Sequence, residues 1–246
     1  MQTVRTIIVD DEELARSIIR EYISEHPELS IEAECSNGFE AVKAITELKP
    51  DLIFLDVQMP KLNGFEVLEL IEEDINVIFV TAYEQYAVKA FEVHAIDYLL
   101  KPFSRERFDE ALERATERIE SQESIPRIDL IQSTRSKGEF LERILVRDGT
   151  RVFVIPAAKV DYIEAQDDYV AIRSEGAVHL KKQRLSDLET LLDSKRFVRI
   201  HRSYIVNVDR LARLELYAKD SRVAVLKDGT QLQVSRTGYD KLKTLL

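Results

Sequence analysis

Cysteine occurs once in this 246-residue chain, at position 35. A single thiol excludes an internal disulfide and any cysteine-based zinc site. Histidine occurs four times, at 26, 94, 179 and 201, with no spacing that would hold a metal. Long hydrophobic runs are missing as well; none is long enough to span a bilayer. The opening residues, MQTVRTIIVDDE, lack the basic-then-apolar pattern of a secretory leader. The expected compartment is therefore the cytoplasm, with no membrane partner.

What is present is an ordinary globular composition, 45% apolar and 33% charged, with enough length for one or two domains. The charge is unevenly spread. Positions 1–120 hold 12 basic and 27 acidic residues, net −15, whereas positions 121–246 hold 23 and 18, net +5. The second half thus tolerates a polyanion better than the first, although +5 is also compatible with plain surface charge.

The first half alternates two periodicities. Short apolar runs stand at 6–9 (TIIV), 31–35 (IEAEC), 52–55 (LIFL), 76–80 (NVIFV) and 95–100 (AIDYLL). Runs of this kind suit strands of a parallel sheet covered on both faces. Between them lie helical stripes: Leu14, Ile18 and Tyr22 in one, and Phe108, Ala111, Leu112, Ala115 and Ile119 in another. Five strand–helix units predict a doubly wound α/β domain over 1–120. Residues 121–138, SQESIPRIDLIQSTRSKG, break the pattern and read as linker.

From 139 to 246 the style changes to short strands and tight turns. ILVRDGTRVFVI (144–155) is a strand, an Asp-Gly turn and a strand, and a second Asp-Gly hairpin lies at 228–229. LSDLETLLDS (185–194) predicts a helix with Ser186 and Glu189 as a capping box, and Ser235 is placed to cap a last helix. This half reads as a mostly β domain.

The first-half strands end on reactive groups. Strand one runs into Asp10 and Asp11, strand three into Asp56, strand four into Thr81 and strand five into Lys101. Open α/β sheets bind ligands beyond the carboxyl ends of their strands, at the switch in strand order, so these groups should share one crevice. Three carboxylates and one ammonium leave a charge of −2, which a divalent cation would cancel. Carboxylate oxygens without nearby His or Cys favour Mg²⁺. An Asp beside such a metal could act as a nucleophile toward a phosphoryl group. Taken singly these residues have plainer readings: Asp10 or Glu12 as a helix cap, Thr81 as a strand residue, Tyr98 as a packed aromatic, Lys101-Pro102 as a turn, and Cys35 as a small buried residue.

Together, IIVDDE, LIFLDVQMP, VIFVTAY and DYLLKPF resemble the four signatures of response-regulator receiver domains, in the family's order. The resemblance implies a (βα)5 flavodoxin-like fold in which Asp56 accepts a phosphoryl group from a sensor histidine kinase. It implies Mg²⁺ held by Asp11, Asp56 and the carbonyl of Gln58, with Asp10 nearby. Thr81 and Lys101 would contact the acyl phosphate, Tyr98 would be the aromatic switch, and Pro102 would follow a cis bond. Phosphorylation would then promote a homodimer through Ala87, Phe91, Val93 and the helix at 104–120.

The second half carries no helix-turn-helix, zinc-finger or basic-zipper pattern. YIEAQDDYVAIRS, FVRIHRSYIVNV and LKDGTQLQVSRTGYDKL resemble the LytTR DNA-binding domain, so the whole chain is similar to LytR/AlgR-type response regulators. The likeness implies a β domain that reads double-stranded DNA with loops. Arg202 and Arg236 would reach base edges, the segment from Gln166 to Tyr169 would form a third contact, and Lys181 and Lys182 would touch phosphates. Asp167 and Asp168 repel phosphates, so that third loop either accepts from cytosine amino groups or is simply a tight turn. His201, next to Arg202 on an alternating strand, is expected to be structural. Two other functions stay open: a phospho-regulated module whose β domain binds a protein, and an output enzyme, disfavoured because no nucleophile–base pair or metal cluster shows in the second half.

Overall fold

The computed structural model describes residues 3–71, 74–121, 140–218 and 221–245, which fold as two compact units. The predicted linker lies outside the described residues, apart from Ser121, which ends a helix.

The first unit is a five-stranded parallel sheet of β1 (Val4–Val9), β2 (Leu29–Cys35), β3 (Leu52–Leu55), β4 (Asn76–Thr81) and β5 (Asp97–Leu100), in the order β2-β1-β3-β4-β5. Helices α1 (Glu13–Ile23), α2 (Gly38–Leu48), α3 (Gly64–Leu70), α4 (Ala87–Glu92) and α5 (Arg105–Ser121) connect and follow the strands. Every residue of β3 is buried, as a central strand covered on both faces requires. Ile8, Phe54, Ile78, Val80 and Leu99 from the sheet meet Ile19 and Ile23 of α1 and Phe108, Ala111, Leu112 and Ala115 of α5. The Phe108 ring stacks on Phe54 with centroids 5.2 Å apart. Each large apolar side chain buried this way stabilises the fold by about 1.5–3 kcal/mol.

The stripe of α5 is the one its spacing predicts, whereas that of α1 is rotated by one residue. Leu14 is 73% exposed and the helix buries Ala15, Ile19 and Ile23 instead. A step of one residue turns a helix by about 100°, and the small Ala15 hides the true stripe from a hydrophobicity reading.

The second unit holds three sheets. β6 (Arg143–Asp148) and β7 (Arg151–Pro156) form the first. β8 (Val160–Gln166), β9 (Tyr169–Ser174), β10 (Ala177–Lys182), β11 (Phe197–His201) and β12 (Tyr204–Asn207) form an antiparallel sheet in the order β10-β9-β8-β12-β11. β13 (Leu211–Ala218), β14 (Ser221–Leu226) and β15 (Gln231–Val234) form the third. Val198, Ile200 and Val206 pack against Ala224, Leu226, Leu232 and Val234, with Leu242 of the last helix, α7 (Arg236–Leu245), closing the cluster. Gly149 and Gly229 take positive φ in the two Asp-Gly turns, as the sequence predicts.

The capping box expected at Ser186 and Glu189 does not form. Helix α6 (Leu185–Leu191) starts two residues too early for it: Arg184 is the cap, and Ser186 bonds Asp187. Glu189 is engaged by Arg199 and Lys241 instead. Ser235 does cap α7, its Oγ accepting from the Gly238 amide at 3.0 Å.

Candidate functional site

The strand order of the first unit reverses between β1 and β3, so the crevice of an open α/β sheet falls at their carboxyl ends. There Asp10 follows β1 and Asp56 follows β3, and the carboxylates of Asp10, Asp11 and Asp56 all lie within 4.8 Å of one another. Asp10 and Asp56 are buried and Asp11 is exposed at the mouth. Lys101, just after β5, extends into the same crevice, with Nζ 2.6 Å from Asp10 Oδ2 and 3.3 Å from Asp56 Oδ2. A cis bond joins Lys101 to Pro102, as expected.

The backbone fixes these groups closely. The Glu12 amide donates to Asp10 Oδ1 at 3.0 Å and the Gln58 amide to Asp56 Oδ1 at 3.2 Å. Arg16 donates to the Asp10 carbonyl at 2.7 Å and pairs with Glu13 and Glu34. Gly64, the first residue of α3, passes so close to the Asp56 carbonyl that a Cβ would lie 2.4 Å from it. Only glycine admits that approach. Neither Arg16 nor Gly64 stands out in the sequence, because what each touches is set by the fold rather than by a local pattern.

The electrostatics show an excess of negative charge. Burial raises the Asp10 carboxyl above its ordinary value, against the pull of the Lys101 hydrogen bond. Burial pulls the Lys101 ammonium the other way, yet its hydrogen bond to Asp10 and the charges of Asp56 and Asp10 hold it above its ordinary value. Burial disfavours the charged form of Asp10, whereas Lys101 gains from facing more than one carboxylate. Three converging carboxylates with no nitrogen or sulfur ligand suit a hard divalent cation such as Mg²⁺.

Thr81, at the end of β4, is fully buried, and among the described residues its hydroxyl has no hydrogen-bond partner. Tyr98 on β5 packs its ring 6.3 Å from Phe79 and its hydroxyl bonds the Tyr83 carbonyl. Burial, then the Asp56 charge, pushes its phenol up to about 12. On the expected dimer face Phe91 is 64% exposed and so is its neighbour Val88 at 72%, while Ala87 and Val93 are half-buried. Cys35 is buried at the end of β2.

In the second unit three loops converge on one end of the five-stranded sheet. The β8–β9 turn carries Asp167, with φ +50°, and Asp168. Beside it runs the β11–β12 turn, tied on by a 2.9 Å bond from the Ala165 amide to the Ser203 carbonyl. Ser235, at the start of α7, donates its amide to the Ile200 carbonyl at 2.8 Å. Arg202 and Arg236 are exposed on the second and third of these segments, and Tyr169 is 45% exposed on the first. Lys182 pairs across the ladder with Tyr169 and is exposed, whereas Lys181 is half-buried and donates to the Leu145 carbonyl at 2.8 Å. The ring nitrogen of His201 accepts from the Ser203 amide at 3.3 Å.

Comparison with known proteins agrees with both halves. The response regulator receiver domain family matches residues 6–113 and the LytTr DNA-binding domain family matches residues 150–246. The chain is 36% identical over 245 residues to an uncharacterised response regulatory protein of Yersinia pestis, covering 99% of this chain and 98% of the relative. It is 31% identical to the transcriptional regulatory protein BtsR of Escherichia coli K12, over 98% of each chain. It is 29% identical to the sensory transduction protein LytT of Enterococcus faecalis, over 99% of each. The match of the β unit to a DNA-binding family supports DNA binding over the alternative of a protein-binding module. The chain belongs to the response regulators that join a receiver domain to a LytTR domain, and it is a DNA-binding regulator of that family.

Proposed function

We propose that Asp56 is the phosphoacceptor and that its phosphorylation by a sensor histidine kinase drives this regulator onto promoter DNA. The observation that carries the reading is the convergence of Asp10, Asp11 and Asp56 with Lys101 at one strand-order switch, with Thr81 ending the strand beside Lys101, whose amide donates to the Thr81 carbonyl at 2.8 Å. A carboxylate oxygen of Asp56 attacks the phosphorus of the donor phosphohistidine. The phosphorus–nitrogen bond breaks, its electron pair returns to the imidazole, which takes up a proton, and an acyl phosphate forms. Asp10, Asp11, Asp56 and the Gln58 carbonyl would hold Mg²⁺, which when bound neutralises charge on the transferred oxygens. Lys101 and Thr81 bond those oxygens, and the Tyr98 ring follows Thr81 inward, leaving the Tyr83 carbonyl.

The altered face of α4, β5 and α5 then pairs two copies, which bind two DNA half-sites together. Arg202 and Arg236 read base edges, Tyr169 and its turn complete the contact, and Lys182 meets a phosphate; Lys181 joins it after releasing the Leu145 carbonyl. In this reading 1–120 is the receiver, 121–138 the linker and 139–246 the output domain. The protein works in the cytoplasm as a switch rather than as an enzyme.

The test is to incubate the chain with Mg²⁺ and a small phosphoryl donor and to map the modified residue. Labelling confined to Asp56, and absent from Asp56→Asn and from samples with a chelator, is expected; label that persists in Asp56→Asn overturns the assignment.

A further inference from the structure

Arg202 is offered to DNA from a turn, and a turn by itself is a poor support for a base contact, because loops are the mobile parts of a fold. Something must hold it, and the structure contains a clamp suited to that task. Arg199, on β11, donates from Nη2 to the backbone carbonyl of Arg202 at 2.9 Å and from Nη1 to Glu189 Oε2 at 3.0 Å. The other oxygen of Glu189, on α6, accepts from Lys241 of α7 at 3.2 Å. One guanidinium and one carboxylate thus link the turn to two helices, and α7 is the helix whose first residue is Arg236.

A second fastening lies at the same place. β11 carries one extra residue against β12, since Arg199 pairs with Ile205 and His201 with Tyr204. The bulge falls at Ile200, and bulges re-aim the chain beside functional sites. The Ile200 carbonyl accepts from both the amide and the hydroxyl of Ser235, at 2.8 and 3.0 Å. Gly238 lies so close that a Cβ would come within 2.0 Å of the same oxygen. The turn bearing Arg202 and the helix start bearing Arg236 are therefore locked to one another twice, once by backbone and once by charge.

We propose that Arg199, Glu189 and Lys241 are positioning residues for DNA reading: the clamp holds the Arg202 turn at a fixed angle to α7, so that Arg202 and Arg236 meet the base edges together. The inference rests on the reading of Arg202 as a base contact. Arg199 is not itself a phosphate ligand, because its guanidinium faces a carboxylate and a carbonyl of its own chain. Arginine is needed there because its planar fork serves two acceptors at once, which a lysine ammonium on a flexible stem cannot hold in the same geometry.

The test compares full-length Arg202→Ala, Arg199→Lys, Arg199→Ala and Glu189→Gln with the parent on the duplex that the parent selects from a random double-stranded pool, and on single-base variants of it. Circular dichroism and thermal unfolding confirm the fold of each variant. Coulomb's law alone predicts tighter binding for Glu189→Gln, since a negative charge is removed. The clamp predicts the opposite: roughly tenfold weaker binding to the selected duplex, with discrimination lost at the base pair to which Arg202→Ala is blind and nonspecific binding unchanged. Arg199→Lys keeps its charge and should behave like Arg199→Ala. If Arg202→Ala loses discrimination while Glu189→Gln and Arg199→Lys bind as the parent does, the clamp is overturned and the base contact stands. If Arg202→Ala itself binds as the parent, the reading of Arg202 fails, and the clamp with it.

Discussion

A buried hydroxyl without a partner costs about 1–3 kcal/mol of folding free energy, and Thr81 carries one at the end of β4. The cost is understandable if the hydroxyl waits for an acceptor that arrives only with a phosphoryl group. Thr81→Val keeps the shape and removes the unpaired group. It should raise the stability of the unphosphorylated chain by about 1 kcal/mol in urea unfolding while weakening the response of DNA binding to phosphorylation. A variant less stable than the parent would place a bonding partner on Thr81. The residues of this pocket were legible in the sequence because each stands at or just after the end of a strand, so that local pattern and fold coincide. Arg16 and Gly64 were not legible: one holds the Asp10 carbonyl and the other slides past the Asp56 carbonyl, contacts that exist only once the loops have closed.

Among the elements, β5 and α5 are joined by an ion cluster that the sequence did not announce. Asp97, 5% exposed, accepts from Arg107 Nη1 at 3.0 Å and from Arg114 at 2.7 Å, and its own strand contributes the Tyr98 amide at 2.7 Å. Burial pushes this carboxyl up, but the hydrogen bonds and charges of the two arginines outweigh burial and hold it below its ordinary 3.8. A depressed folded-state value means that the stabilisation is complete above that ordinary value and is lost as pH falls through the lower one. Asp97→Asn should therefore cost about 2 kcal/mol at pH 7, discounted from the value for a fully buried pair because Arg107 and Arg114 are partly exposed. The gap to the parent should close as the pH is taken below 4; a gap unchanged down to pH 3 would assign the loss to packing instead. Element patterns were readable where long side chains mark the stripe, as in α5. They misled where Ala15 took the buried place of α1, and where a Ser and a Glu in the right order met a helix that begins at Leu185.

At the scale of the whole molecule, charge constrains how the switch can work. The first 120 residues carry −15 and the remainder +5. A phosphoryl group adds about −1.5 to −2 to the already acidic part, so direct electrostatics can only weaken attraction to DNA. If phosphorylation strengthens promoter binding, the gain comes from something other than direct charge, and the proposed pairing of two copies is one source with a known size. Pairing two copies makes the second half-site contact intramolecular, which raises affinity by on the order of 10²–10⁴ without any new contact to DNA. The phosphoryl group must itself favour the paired state by about 5.5 kcal/mol for a near-complete switch. Two measurements separate the contributions. On a duplex with a single half-site, phosphorylation should leave affinity unchanged or slightly lower. On a duplex with two half-sites it should raise affinity steeply, in step with dimer formation measured by sedimentation. Lys182→Ala should lower the slope of log affinity against log salt by about 1 on either duplex, since one phosphate contact is lost. Equal strengthening on one and two half-sites would mean that phosphorylation acts within a single copy, and the dimer would then have no part in the switch.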